Sequence, residues 1–300
     1  METVLITGAS GLVGKPLTRA LRARGYDVVK LVRHPPAEPD EIQWAPGDFV
    51  AWPEEKPLDH VVHLAGEPVF GLWTPERKKK IRDSRVIGTR TIAEFIASRG
   101  QKPKSLISSS AIGIYGDRGD EELTESSALG SGFLAEVAKE WEAAAEPARK
   151  AGIRVVHPRI GVVLGKHGGA LKQMLLPFQL GLGGRLGDGK QWFSWITLTD
   201  MVNLLIFVME NSKVAGAVNA SAPEPVTNAE FTRVLAYVLN RPAIFPVPEF
   251  VLRRLPGNMA DETMLSSERV IPKKALDAGF KFLYPDLYVA LQAELGIEAS

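Results

Sequence analysis

Residues 3–14 read Thr3-Val4-Leu5-Ile6-Thr7-Gly8-Ala9-Ser10-Gly11-Leu12-Val13-Gly14, and this stretch decides the fold. Val4 to Thr7 is a short apolar run of the kind a buried strand requires. Leu12 to Arg24 carries helical spacing. Between them glycine recurs every third residue. Gly8 permits a tight turn, Gly11 lets a ligand's phosphates approach the backbone, and Gly14 lets the helix pack close to the sheet. A helix start offers free N–H groups and a positive dipole end, so the turn suits a pyrophosphate. Strand, glycine turn and helix occur together, which is the context that points to a bound dinucleotide.

Outward from the turn, apolar runs and amphipathic stretches alternate. Strands are expected at Asp27–Val32, His60–Ala65, Ser105–Ser109 and from Arg154, with helices at Pro75–Arg99 and 133–150. Such alternation implies βαβ crossovers and a mostly parallel, doubly wound α/β sheet of Rossmann type. After Gly161, glycines and prolines break the pattern. A helix over Asp200–Glu210 and a strand over Gly216–Ala220 return to it, and short segments from Pro246 onward suggest a smaller C-terminal cap. The expected division is a dinucleotide-binding domain over 1–165, with 200–222 returning to it. Residues 166–199 and 223–300 then form a smaller substrate region whose C-terminal part covers about 248–297.

The second strand ends Leu31-Val32-Arg33-His34. A reader of the NAD ribose hydroxyl is usually an acid at this point, and none occurs before Glu38. Arg33 is placed to pair with a 2′-phosphate through its planar fork, which favours NADP over NAD.

Composition excludes several classes. Net charge is +1, so no general attraction to nucleic acid or an anionic membrane is expected. There is no cysteine, which removes disulfides and thiolate chemistry and fits a cytoplasmic setting. The five histidines are scattered, so no metal site is expected. No apolar run reaches the ~18 residues of a membrane span. The run Lys78-Lys79-Lys80, with Arg77 and Arg82, reads as a solvated helix face.

These residues, with His63-Leu64-Ala65-Gly66, Ser108-Ser109-Ser110 and Tyr115-Gly116, resemble the extended short-chain dehydrogenase/reductases. That superfamily includes the NAD(P)-dependent epimerases and dehydratases. The chain is most similar to the branch called epimerase family proteins, which carries a small C-terminal domain. The similarity rests on Trp141-Glu142, Arg159 to Gly165, Gly168-Gly169-Ala170, Trp195-Ile196 with Asp200, Asn219-Ala220, Asn228 to Phe231, Val270-Ile271-Pro272 and Gly279-Phe280. The resemblance implies that Leu64, Ala65 and Gly66 run beside the cofactor, together with Gly8, Ser10, Gly11, Leu12, Val13, Gly14, Arg33 and Arg159. It implies that Ser110, or Ser109, hydrogen-bonds the substrate oxygen. A serine-rich strand end that caps backbone groups is the competing reading.

Two departures stand out. The superfamily's acid/base is a tyrosine four residues before a lysine that lowers its pKa. Here Lys139 takes the lysine's place, but the residue four earlier is Ala135. Tyr115 is the candidate substitute; its other reading is a packed loop tyrosine with a satisfied hydroxyl. The second departure lies in Gly187-Asp188-Gly189-Lys190-Gln191-Trp192-Phe193-Ser194-Trp195-Ile196, where Phe193 fills the slot of a diphosphate-binding arginine. Gln191, Trp192, Phe193 and Trp195 then line an aromatic substrate wall, unless the aromatics are buried under the cap. Arg185 or Lys190 could restore a phosphate contact. The expected protein is an NADP(H)-dependent oxidoreductase or epimerase-like enzyme on a small molecule other than a typical nucleotide sugar. The rival is a non-catalytic NADP-binding sensor or scaffold.

Overall fold

The chain runs β1 (Thr3–Thr7), α1 (Gly14–Ala23), β2 (Asp27–Val32), β3 (Glu41–Ala45), β4 (Phe49–Val50), β5 (His60–His63) and α2 (Pro75–Ser98). It continues through β6 (Ser105–Ser108), β7 (Ser110–Ala111), β8 (Glu122–Leu123), α3 (Phe133–Ala143), α4 (Glu146–Lys150) and β9 (Arg154–Ile160). The second half holds β10 (Val162–Leu164), α5 (Gly169–Gln179), β11 (Trp192–Phe193), β12 (Trp195–Thr197), α6 (Leu198–Glu210) and β13 (Gly216–Ala220). It closes with β14 (Val226–Thr227), α7 (Asn228–Val238), α8 (Glu249–Leu252), β15 (Arg269–Val270), α9 (Lys273–Asp277) and α10 (Leu287–Leu295). The computed structural model describes residues 1–254 and 258–297; the segment 223–300 of the expected division therefore includes 255–257 and 298–300, outside the described residues.

The central sheet has the order β13-β9-β6-β5-β1-β2-β3-β4 and is parallel except at β4. Its strands read as continuous apolar runs because both faces are covered. Val4 and Ile6 point into one core, with Leu17 and Leu21 of α1 and Met201 to Met209 of α6. Leu5 points into the opposite core, with Ile92, Ala93 and Ile96 of α2. The alternation repeats along the sheet at Val28 against Val29, Val62 against Val61, and Val156 against Val155. A third core joins Trp195, Phe231, Leu235 and Leu291 beneath the C-terminal segments.

The single helix expected over 133–150 is two. Pro147 lacks an N–H and sits in the first turn of α4, where that loss costs nothing. The segment between the helices, Ala144-Ala145, is fully buried. A helix also occurs where glycines suggested irregular chain: Gly168 and Gly169 open α5 rather than interrupt it. Among the described residues no helix is long and apolar enough to cross a membrane.

Candidate functional site

From β1 the chain winds outward to β2 and β3, then returns to the other side of β1 at β5. Ligands of open α/β sheets bind at such a reversal, outside the carboxyl ends of the strands. Here those ends are Thr7-Gly8 and His63-Leu64. The Thr7 hydroxyl sits 2.7 Å from His63 Nδ1 and accepts from the backbone N–H of Leu64 (3.2 Å) and Ala65 (3.1 Å). One threonine thus fixes the strip Leu64-Ala65-Gly66 against the glycine turn.

Gly8 makes the tight turn the spacing predicts, but Gly14, expected to pack the helix on the sheet, packs on the turn itself. Gly8 has φ +69°, a backbone shape that disfavours side chains. A Cβ on Gly14 would lie 2.1 Å from Gly8 O, so Gly14 serves the turn's own packing. Gly11 and Ser10 face solvent, and a Cβ on Gly11 would meet only Gly8 O, at 3.2 Å. No side chain caps the start of α1 after Val13, which leaves that helix end to an anion. Leu12 turns inward, and a Cβ at Gly165, Gly168 or Gly169 would lie 3.0–3.2 Å from its side chain. That contact explains the glycines of this later loop. Arg33, just beyond β2, is exposed and has no ion pair among the described residues. These residues fit a dinucleotide: a cradle without Cβ atoms, an uncapped helix start and a free guanidinium at the ribose end.

On the far side of β5, the hydroxyls of Ser108, Ser109 and Ser110 are buried without a full hydrogen bond among the described residues, and Ser110 lies near enough to Glu142 to help hold that carboxyl low. Three orphaned hydroxyls at the ends of β6 and β7 do not behave as caps, because a cap would be bonded.

Several expected site residues are placed otherwise. Tyr115 does not enter the cleft. It is fully buried, its hydroxyl donates to Asn219 Oδ1 (2.6 Å) and accepts from Arg159 Nη1 (2.9 Å). Burial pushes its pKa up despite the Arg159 charge. Arg159 is not free for a cofactor: its other nitrogens hold Glu142, at 2.9 and 3.0 Å. Burial raises the Glu142 pKa, but the guanidinium outweighs it and holds the carboxyl below its ordinary range. Lys139 leaves the cleft for an ion pair with Glu136 (2.8 Å), because the buried face of α3 is Ala135, Ala138 and Trp141. Trp195 is a core residue at 0% exposure, and Phe193 packs on Phe231 with centroids 4.4 Å apart. Trp192 stacks with Arg269 and donates to Asp120 (2.8 Å), while Gln191 ties the carbonyls of Leu186 and Met264. The aromatic wall is therefore mostly packing. Lys190 pairs with Asp188. Within the basic run, Lys78 lies over Trp73 and Phe133, and Lys79 pairs with Asp83.

The sequence reading missed Glu268. Residues 266–270 thread between the loop after β7 and β11–β12: Ser194 donates to Glu268 O (2.6 Å), and Ser267 donates to Gly119 O (2.7 Å). This puts the Glu268 carboxyl 4.0 Å from where a Cβ on Gly113 would be, three residues past Ser110. Its one side-chain bond comes from Ser266 (3.1 Å). Burial pushes it up to about 7, with Asp117 adding and Ser266 opposing. No spacing rule links residue 268 to residue 110; only the fold does.

The model of the NAD dependent epimerase/dehydratase family matches residues 4–221, and a domain of unknown function, DUF1731, matches 247–294. An Arabidopsis thaliana relative, the chloroplastic epimerase family protein SDR39U1 homolog, is 40% identical over 97% of this chain and 86% of its own. The crystal structure of human epimerase family protein SDR39U1 with NADPH superposes with a TM-score of 0.90 at 34% identity, covering 98% of this chain and 99% of that one. A nucleoside-diphosphate sugar epimerase from Corynebacterium glutamicum gives a TM-score of 0.83 at 37% identity, covering 99% of this chain and 59% of that one.

Proposed function

Because the chain belongs to the NAD dependent epimerase/dehydratase family, we propose that it is an NADP(H)-dependent oxidoreductase or epimerase-like enzyme acting on a small molecule. The observation that carries this is the uncapped glycine turn with the unpaired Arg33 at the end of β2. The human relative's NADPH supports the same choice. When bound, the nicotinamide supplies a hydride. The chain's own residues do the rest. The backbone of Gly8, Ser10, Gly11, Leu12 and Val13 receives the pyrophosphate, Arg33 the 2′-phosphate, and Leu64, Ala65 and Gly66 line the ribose side. Ser110, with Ser109 beside it, offers an unspent hydroxyl to the substrate oxygen. Glu268 holds a proton at its carboxyl near neutral pH and takes the part left empty at Ala135.

The division into a cofactor part (1–165 with 200–222) and a substrate part (166–199 with 223–300) is supported by the pairing of β13 with β9 and by the separate match over 247–294. A reducing compartment such as the cytoplasm suits a chain without cysteine.

The test is a calorimetric titration of NADPH and NADH, followed by a screen of aldehydes, ketones and quinones with NADPH. NADPH should bind better. Arg33→Ala should weaken NADPH alone, by about 1.5–3 kcal/mol for a charge-assisted contact. Ser110→Ala should keep NADPH affinity and lose about tenfold or more in turnover. Equal weakening of both nucleotides defeats the NADP assignment. NADPH binding with no turnover on any carbonyl leaves the sensor, which the buried Tyr115 hydroxyl also favours.

A further inference from the structure

We propose that Arg85 is an anion anchor in the substrate cleft, binding a carboxylate or phosphate group of the substrate beside Gly66. The proposal rests on the oxidoreductase reading and names a substrate class for it.

Arg85 lies on α2, and its guanidinium stands 5.0 Å from the Trp141 ring centre. Its Nη1 donates to the carbonyls of Glu67 and Ile81, both at 3.0 Å. Its Nη2 and Nε donate to nothing among the described residues. Two other deeply placed arginines are spent. Arg159 is taken by Glu142 and Tyr115, and Arg154 by the carbonyls of Val208, Met209 and Val214. The acid whose charge acts on Arg85 is Glu67, and its carboxylate is held by Arg77, while Asp83, two residues away in sequence, pairs with Lys79. Burial pushes the Arg85 guanidinium down to about 10, which leaves it charged at neutral pH. A half-buried cation without a counter-charge is costly, and a bound oxyanion removes that cost.

Gly66 is exposed and leaves the approach open. A Cβ there would lie 3.6 Å from Nη2, on the face the guanidinium presents to the strip Leu64-Ala65-Gly66. The wall behind is rigid: Ser84 accepts from Glu67 N, and Arg77 binds the carbonyls of Pro68 and Phe70. The cofactor's own anions already have receivers in the glycine turn and Arg33. Arg85, whose Nη2 and Nε have no partner among the described residues, is therefore assigned to the substrate.

The experiment titrates inorganic phosphate and pyruvate by calorimetry into the parent, Arg85→Met and Arg85→Lys, with and without saturating NADPH. The parent should bind one of the two anions saturably. Arg85→Met should weaken that binding about tenfold or more, as expected for one charge-assisted contact, with NADPH affinity unchanged. Arg85→Lys, which keeps the charge, should recover part of it. A parent that binds neither anion, or an Arg85→Met variant that binds like the parent, overturns the proposal. So does a comparable loss of NADPH affinity in Arg85→Met, which assigns the guanidinium to the cofactor. A parent that fails to bind NADPH defeats the oxidoreductase reading instead, and Arg85 is then judged on the anion titration without nucleotide.

Discussion

Single residues in this cleft are defined by what their polar atoms lack. Arg33 is a candidate because no ion pair among the described residues claims it, and Ser110 because its hydroxyl, though close enough to help hold Glu142 low, has no full hydrogen bond there, whereas Tyr115, Arg159 and Lys139 are taken by Asn219, Glu142 and Glu136. Glu268, whose carboxyl is held only by Ser266 among the described residues, makes a stability prediction. Its folded pKa, about 7, lies above the ordinary 4.5, so between those values the folded state holds a proton that the unfolded chain has released. Stability at this site is therefore full below pH ~4.5 and is lost as pH rises towards 7. Glu268→Gln keeps an acceptor for Ser266 and cannot ionise. Urea unfolding should show the parent losing about 1–3 kcal/mol relative to the variant between pH 5 and pH 8. Parallel pH profiles would mean that the carboxyl is ionised and solvated in the fold.

At the scale of elements, the strand–turn–helix of residues 3–23 separates two glycines that look alike in sequence. Gly14 packs against the turn itself, with no room for a Cβ at 2.1 Å from Gly8 O. Gly11 faces outward into the ligand's space. Gly14→Ala should cost stability, about 1–3 kcal/mol or more for a backbone forced to shift, seen as a lowered Tm without nucleotide. Gly11→Val should keep most of the Tm and abolish NADPH binding in the calorimeter. If Gly11→Val binds NADPH normally, the pyrophosphate does not lie on this turn. The split of α3 from α4 is a different case. It was legible in Pro147, yet the apolar spacing ran through it, because Ala144, Ala145 and Ala148 are buried as the helix positions are.

The whole molecule is held in register by a few long-range polar ties onto the C-terminal segments. Asp200, 1% exposed at the start of α6, accepts from the backbone N–H of Leu283 (2.9 Å) and Tyr284 (3.0 Å). Asn219 bonds Tyr115 and the carbonyl of Ile271 (2.9 Å). Asn219 holds the end of the stretch that carries Glu268, which Ser194 and Ser221 also tie. Asp200→Asn removes the charge and one acceptor, and should cost about 2–3 kcal/mol for the two bonds. Limited proteolysis should then cut sooner in 278–287 than in the parent. An unchanged digestion pattern and Tm would show that apolar contacts alone dock the segment.

The sequence by itself pointed to the sheet, its glycine turn and an NADP preference, because these depend on neighbours within a few residues: short apolar runs, glycines three apart, an acid missing at a strand end. It also showed that Ala135 stands where a tyrosine was expected. Tertiary structure alone decided which polar groups remain unspent. Tyr115 is consumed by Asn219, 104 residues away, and Arg159 by Glu142 across α3. Trp195 goes to the core, and Glu268 arrives beside Gly113 from the far end of the chain. A side chain's availability depends on every partner within hydrogen-bond reach, and those partners are assembled only when distant segments pack.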